Sequence, residues 1–153
     1  MNNMYYYFAY GSNMNKTQMK KRCPNARGLG KAILKGYKFI INTRGVATVI
    51  ESKDDYVEGV LYEVTDDCLA SLDCYEGVSS KLYERKELKV EYENKIINAY
   101  IYIATCKEES KNSRENYIET ILDGSKDFNL SDDYIKKYLD KYKINQMGNN
   151  DKN

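Results

Sequence analysis

Between residues 5 and 105 the chain alternates strand-like runs with turn signals, and this alternation constrains its fold more than any other feature. The runs fall at residues 5–9, 31–42, 46–51, 56–64, 82–92 and 95–105 and are rich in aromatic and β-branched residues. Asp54-Asp55 and Glu93-Asn94 stand where hairpin turns are needed. Helix signals fill the gaps. Asn15 is a fair N-cap for a helix through Arg22 that stops before Pro24. Thr65 and Asp66 start another, with a stripe of Leu69, Leu72 and Tyr75 or Glu76, and Gly77 ends it. Residues 113–123 and 131–143 turn helical, and 144–153 reads as a disordered polar tail. The prediction is a single α+β domain over 1–143, a mixed β-barrel of about six or seven strands with flanking helices.

A chain of 153 residues, 42% hydrophobic and 31% charged, can bury a core without a disulfide or a metal. No window approaches a membrane span, and the first residues show no basic stretch followed by an apolar run, so a soluble cytoplasmic protein is expected. Histidine is absent, which excludes a Ser-His-Asp triad, a Cys-His dyad and a His-ligated metal. Cys23, Cys68, Cys74 and Cys106 contain no C-x-x-C pair and are expected to be reduced. Charge is uneven: residues 1–50 carry nine Lys or Arg and no acid, within an overall net charge of +1. These cations are scattered over a predicted helix and strands, which fits a solvated face or a small anionic ligand better than nucleic acid.

Three groups of residues could carry chemistry. Tyr10-Gly11-Ser12-Asn13-Met14 follows a hydrophobic strand, where glycine permits close approach and successive N–H groups can face an anion; it also reads as an ordinary strand-to-helix turn. Glu76 lies four residues past Leu72 and seven past Leu69, on the apolar side of its helix and in the last, electronegative turn. Burial and the dipole would both raise its pKa towards the range general acid-base work prefers, unless it is simply an exposed helix-end residue. Tyr83, Tyr100, Tyr102 and Tyr117 could line a cavity or merely cover a sheet.

At these residues the sequence resembles the γ-glutamylcyclotransferase-like family, whose β-barrel is shared with the cyclotransferase of butirosin biosynthesis. The resemblance runs from about Met4 to Lys143. Its strongest marks are Tyr7-Phe8-Ala9-Tyr10-Gly11-Ser12-Asn13-Met14 and Leu72-Asp73-x-x-Glu76-Gly77-Val78 with Tyr83 following; Gly45-Val46-Ala47-Thr48, Asn116-Tyr117 and Gly124 fit more weakly. The resemblance implies that Glu76 is the catalytic glutamate and that Tyr7, Phe8, Ala9, Tyr10, Gly11, Ser12 and Asn13 form the substrate-binding loop. It gives Tyr117 a substrate contact and makes Tyr83 and Tyr102 pocket-lining. The chain is shorter than the vertebrate members between Arg44 and Gly45 and between Thr105 and Tyr117, where loops shape the amino-acid side of the pocket.

The implied reaction suits the residue inventory. In a γ-glutamyl amide the α-amine attacks its own γ-carbonyl, closes 5-oxoproline and expels an amine, so no protein nucleophile, metal or cofactor is required. One carboxylate can carry the proton from ammonium to leaving nitrogen. The expected partner is a small-molecule γ-glutamyl substrate, with neither nucleic acid nor membrane; a homodimer stays open. A γ-glutamylamine, an antibiotic side chain, a non-catalytic small-molecule binder and an RNA-associated module are the competing readings.

Overall fold

The computed structural model describes residues 3–110, 112–114 and 116–142. Five strands close into a barrel: β1 (Met4–Ala9), β2 (Arg27–Ile41), β3 (Ala47–Thr65), β4 (Tyr83–Tyr92) and β5 (Lys95–Ala104). The order around the barrel is β1-β3-β2-β4-β5. Neighbours are antiparallel except β5 and β1, which meet in parallel at Tyr7 and Tyr100 and make the sheet mixed. Helices α1 (Lys16–Arg22), α2 (Asp66–Glu76) and α3 (Tyr117–Asp127) flank it. A last helical segment, α4, starts at Asp132–Tyr134 and widens into a π-helical turn over Ile135–Leu139. The tail expected at 144–153 lies outside the described residues.

The barrel is as expected, with five strands among the described residues rather than six or seven. Residues 46–51 and 56–64 belong to one 19-residue strand, β3. Asp54-Asp55 makes no hairpin. Lys35 pairs Tyr56 and Tyr37 pairs Glu51, so residues 52–55 bulge out opposite Gly36, which takes φ +83°, while pairing resumes on both sides. Glu93 and Asn94 do turn the β4–β5 hairpin, at φ 48° and 64°.

Local chemistry sets the helix ends. Asn15 Oδ1 accepts from Gln18 N–H at 3.1 Å and Thr65 Oγ1 from Cys68 N–H at 3.3 Å, one cap each for α1 and α2. At the end of α2, Gly77 turns left-handed, its N–H meeting Cys74 O and Val78 N–H meeting Asp73 O, which halts the helix with Glu76 in its last position. Tyr134, Tyr138 and Tyr142 are almost wholly buried, packing on Tyr56 and Phe39, so many tyrosines serve as core. Cys23 and Cys68 form a disulfide joining the end of α1 to the start of α2. That corrects the expectation of four reduced cysteines; Cys74 and Cys106 are free. Among the described residues, no helix is long and apolar enough to cross a membrane.

Candidate active site

At the end of β1 the chain leaves the sheet through Tyr10 and Gly11 and makes a single 3-10 turn, Ser12–Met14, before α1. That turn forms one wall of a narrow cavity, about 290 Å³ counting its open mouth; Glu76 from α2, Tyr83 from β4, Tyr102 from β5, Tyr117 from α3, Ala47 from β3 and Tyr7 complete it. Gly11 eases a close approach rather than a special conformation. Its φ is −119°, but an added Cβ would lie 3.3 Å from Ala47 Cβ and 3.7 Å from the Tyr117 hydroxyl.

Of the residues singled out from the sequence, the fold brings Glu76, Tyr7, Tyr10, Gly11, Ser12, Asn13, Tyr83, Tyr102 and Tyr117 to this cavity. Phe8 and Ala9 do not line it. Both are buried where β1 crosses β3: an added Cβ at Gly59 would come within 2.4 Å of Ala9 O and 2.7 Å of the Phe8 ring. Tyr100 also lies elsewhere, 5.9 Å from Tyr5 and beneath the Arg85 guanidinium.

Hydrogen bonds divide the tyrosines into two kinds. Tyr10 donates to Tyr102 O at 2.5 Å, Tyr83 to Ala47 O at 2.6 Å and Tyr102 to Asp73 Oδ1 at 2.6 Å, so their protons are committed to the scaffold. Tyr117 instead accepts from Ala47 N–H at 3.0 Å, and Tyr7 accepts from Asn13 Nδ2 at 2.8 Å. Among the described residues neither of these two phenols has an acceptor for its own proton. The main-chain N–H groups of Ser12 and Asn13 likewise find no protein acceptor there. Burial raises the pKa of both phenols and the Glu76 charge adds to it, so they remain donors at neutral pH. Tyr7, Ser12, Asn13 and Tyr117, which carry these four donors, thus line a cavity whose only lining carboxylate among the described residues is Glu76.

Glu76 has no hydrogen-bond or ion-pair partner among the described residues. Burial pushes its carboxyl up to about 7, against the opposing pull of Arg22. Arg22 is a residue the sequence reading passed over as one more scattered cation. Its guanidinium stacks 3.4 Å from the Tyr75 ring centroid, donates to Ser12 Oγ at 3.2 Å and Gln18 Oε1 at 3.0 Å, and also bonds Asn13 Oδ1 and the Tyr75 hydroxyl. The available signal was its type: an arginine in a chain with nineteen Lys and five Arg, placed where planar, multidentate donation is needed. Ala47, in the sequence only part of a weaker family mark, enters the site through its main chain. Buried Asn42 sets the turn before it, accepting from Arg44 N–H at 3.0 Å and Val46 N–H at 3.3 Å. Among the described residues, no three Cys, Asp or Glu side chains converge as a metal site would need.

Comparison with known proteins places the chain in a family. Residues 7–122 match the family model described as gamma-glutamyl cyclotransferase, AIG2-like. The chain is 34% identical over 142 residues to the gamma-glutamylcyclotransferase of Bos taurus and 33% identical to that of Homo sapiens, in each case across 86% of this chain and 75% of the relative. A solved gamma-glutamyl cyclotransferase structure superposes with a TM-score of 0.82 at 30% identity, covering 88% of this chain and 86% of its own. With the barrel, the β1 loop and the helix-end glutamate all in place, the chain belongs to the gamma-glutamyl cyclotransferase, AIG2-like family and is an enzyme of the gamma-glutamylcyclotransferase type.

Proposed function

We propose that the enzyme converts a γ-glutamyl amide, a γ-glutamyl amino acid or dipeptide, to 5-oxoproline and a free amine, with Glu76 as the single general acid-base. The observation that carries this reading is Glu76 itself: a carboxylate without a partner among the described residues, lining one cavity with Tyr7, Ser12, Asn13 and Tyr117. A carboxyl that burial brings to about 7 can take and return a proton near neutral pH, which a fixed counter-ion for the α-ammonium need not do.

In the proposed cycle the glutamyl chain folds back so that its α-nitrogen stands against the γ-carbonyl. Glu76 takes a proton from the α-ammonium, the new C–N bond forms, and negative charge develops on the carbonyl oxygen. The Ser12 and Asn13 N–H groups and the Tyr7 and Tyr117 hydroxyls are the donors for that oxygen and for the α-carboxylate. The tetrahedral intermediate collapses as Glu76 returns the proton to the leaving nitrogen and the old C–N bond breaks; the ring nitrogen then gives its second proton to the regenerated carboxylate, which passes it to the expelled amine, so that a neutral lactam and an ammonium leave. Atoms and charge balance without an added reactant. Holding the chain folded is worth up to about 7 kcal/mol at the generous end.

The test is direct. Purified protein is incubated with γ-glutamyl amino acids, γ-glutamylamines and glutathione, and 5-oxoproline and amine are quantified with and without EDTA. We expect equimolar products from γ-glutamyl amino acids, unaffected by EDTA. Product from the γ-glutamylamines alone would move the leaving group to that class; activity lost in EDTA and restored by a divalent ion would contradict the metal-free mechanism.

A further inference from the structure

We infer that a second cleft, on the outer side of α1, binds a small amphiphilic anion: a flat apolar body carrying a carboxylate or phosphate-ester headgroup. The cleft, of about 640 Å³ counting its open mouth, lies between Lys16, Met19 and Lys20 of α1, Pro24, and the rings of Tyr62 and Phe128. It is separate from the catalytic cavity. The Tyr62 ring stacks on Tyr7 at 6.3 Å, so the two sites stand back to back across that ring pair.

Three observations define the occupant. Lys16 and Lys20, one turn apart on the same face of α1, are exposed, and neither ammonium has a carboxylate partner among the described residues. Lys16 Nζ is held instead 5.0 Å from the Phe128 ring centroid, at the edge of an apolar floor. The hydroxyl of Tyr62, a residue only 4% exposed, is buried with no hydrogen-bond partner among the described residues. A buried hydroxyl left unpaired is costly, and a ligand oxygen that reached it by parting the side chains over it would remove that cost. Burial first, and then the nearby Asp127 charge, keep the phenol protonated, so it acts as a donor.

The cleft therefore offers two cations at its rim and aromatic rings at its floor, with a buried donor behind them, a combination that suits an anion with a ring and a further oxygen acceptor. It also gives part of the acid-free first fifty residues a use beyond solvation. The floor is closed by Gly28, where an added Cβ would stand 3.0 Å from the Phe128 ring and 3.3 Å from that of Tyr62.

The probes are benzoate, 4-hydroxybenzoate, phenyl phosphate and, as the uncharged control, benzamide, titrated into 15N-labelled protein at low salt. We expect saturable amide shifts confined to α1 and the Tyr62 and Phe128 surroundings, with benzamide at least tenfold weaker than benzoate. K16Q/K20Q should weaken the anions at least tenfold, Y62F should remove the advantage of 4-hydroxybenzoate over benzoate, and E76Q should leave binding unchanged. Binding by benzoate alone assigns a carboxylate headgroup, and by phenyl phosphate alone a phosphate; either supports the site. Absence of saturable shifts below about 10 mM, equal binding of benzamide, or insensitivity to K16Q/K20Q overturns it. Loss of binding in E76Q would place the ligand in the catalytic cavity and overturn it too, independently of whether 5-oxoproline is produced.

Discussion

Burial takes the Glu76 carboxyl up to about 7 against the pull of Arg22, and this shift acts on rate and on stability in opposite directions. Glu76 must be ionised to take the ammonium proton, so turnover should fall as pH drops through about 7. Arg22 lowers the Glu76 pKa, so R22Q should move that acidic limb to higher pH, a shift that mere loosening of the loop would not produce. For stability the sign reverses, because folding raises this group's pKa from 4.5. The protonated form is the one the fold favours; its contribution is fully present below about 4.5 and is lost as pH rises through about 7. The loss is at most about 3 kcal/mol. Urea denaturation should therefore show E76Q more stable than the parent by about 1–3 kcal/mol at pH 8.5, with the gain shrinking by pH 5.5. An equal difference at both pH values would show that Glu76 is not desolvated.

Two element contacts hold this residue chemistry in register. The Cys23–Cys68 disulfide ties α1, which carries Arg22, to α2, which carries Glu76, across a separation of 45 residues. Denatured, unreduced protein should titrate two thiols, Cys74 and Cys106, and reduction should lower stability by about 2–4 kcal/mol; four titrating thiols would refute the pairing. The sequence could not disclose this bond, since spacing along the chain says nothing of Cα separation, which is 5.2 Å here. The second contact is α3 on the 3-10 turn. At Gly124 an added Cβ would sit 2.6 Å from Asn15 N and 2.7 Å from Met14 C, both main-chain atoms. G124A should push α3 outward, carrying Tyr117 away from Ala47, with a cost of about 1–3 kcal/mol and a fall in kcat/KM, measured by denaturation and assay.

At the scale of the whole molecule, legibility followed the range of the interactions. Asn15, Thr65, Gly77 and Glu93-Asn94 act on neighbours in the chain, so their caps and turns were readable from residue type alone. The 19-residue β3 was not, because two acidic residues in a row carry a turn signal whether the strand reverses or, as here, bulges against the preceding strand. The cavity was legible as two motifs but not as a surface. Strand pairing decides that Phe8 and Ala9 go to the core, while the main chain of Ala47 and the guanidinium of Arg22 shape the site. The account rests on that convergence around Glu76, and one comparison tests it most directly: single-turnover release of 5-oxoproline by the parent and by E76Q, with substrate affinity measured alongside. The account predicts that E76Q binds the γ-glutamyl substrate within a few-fold of the parent but forms 5-oxoproline about 10²–10⁴ times more slowly. Turnover by E76Q within about threefold of the parent, set against that expected loss of acid-base catalysis, would contradict it.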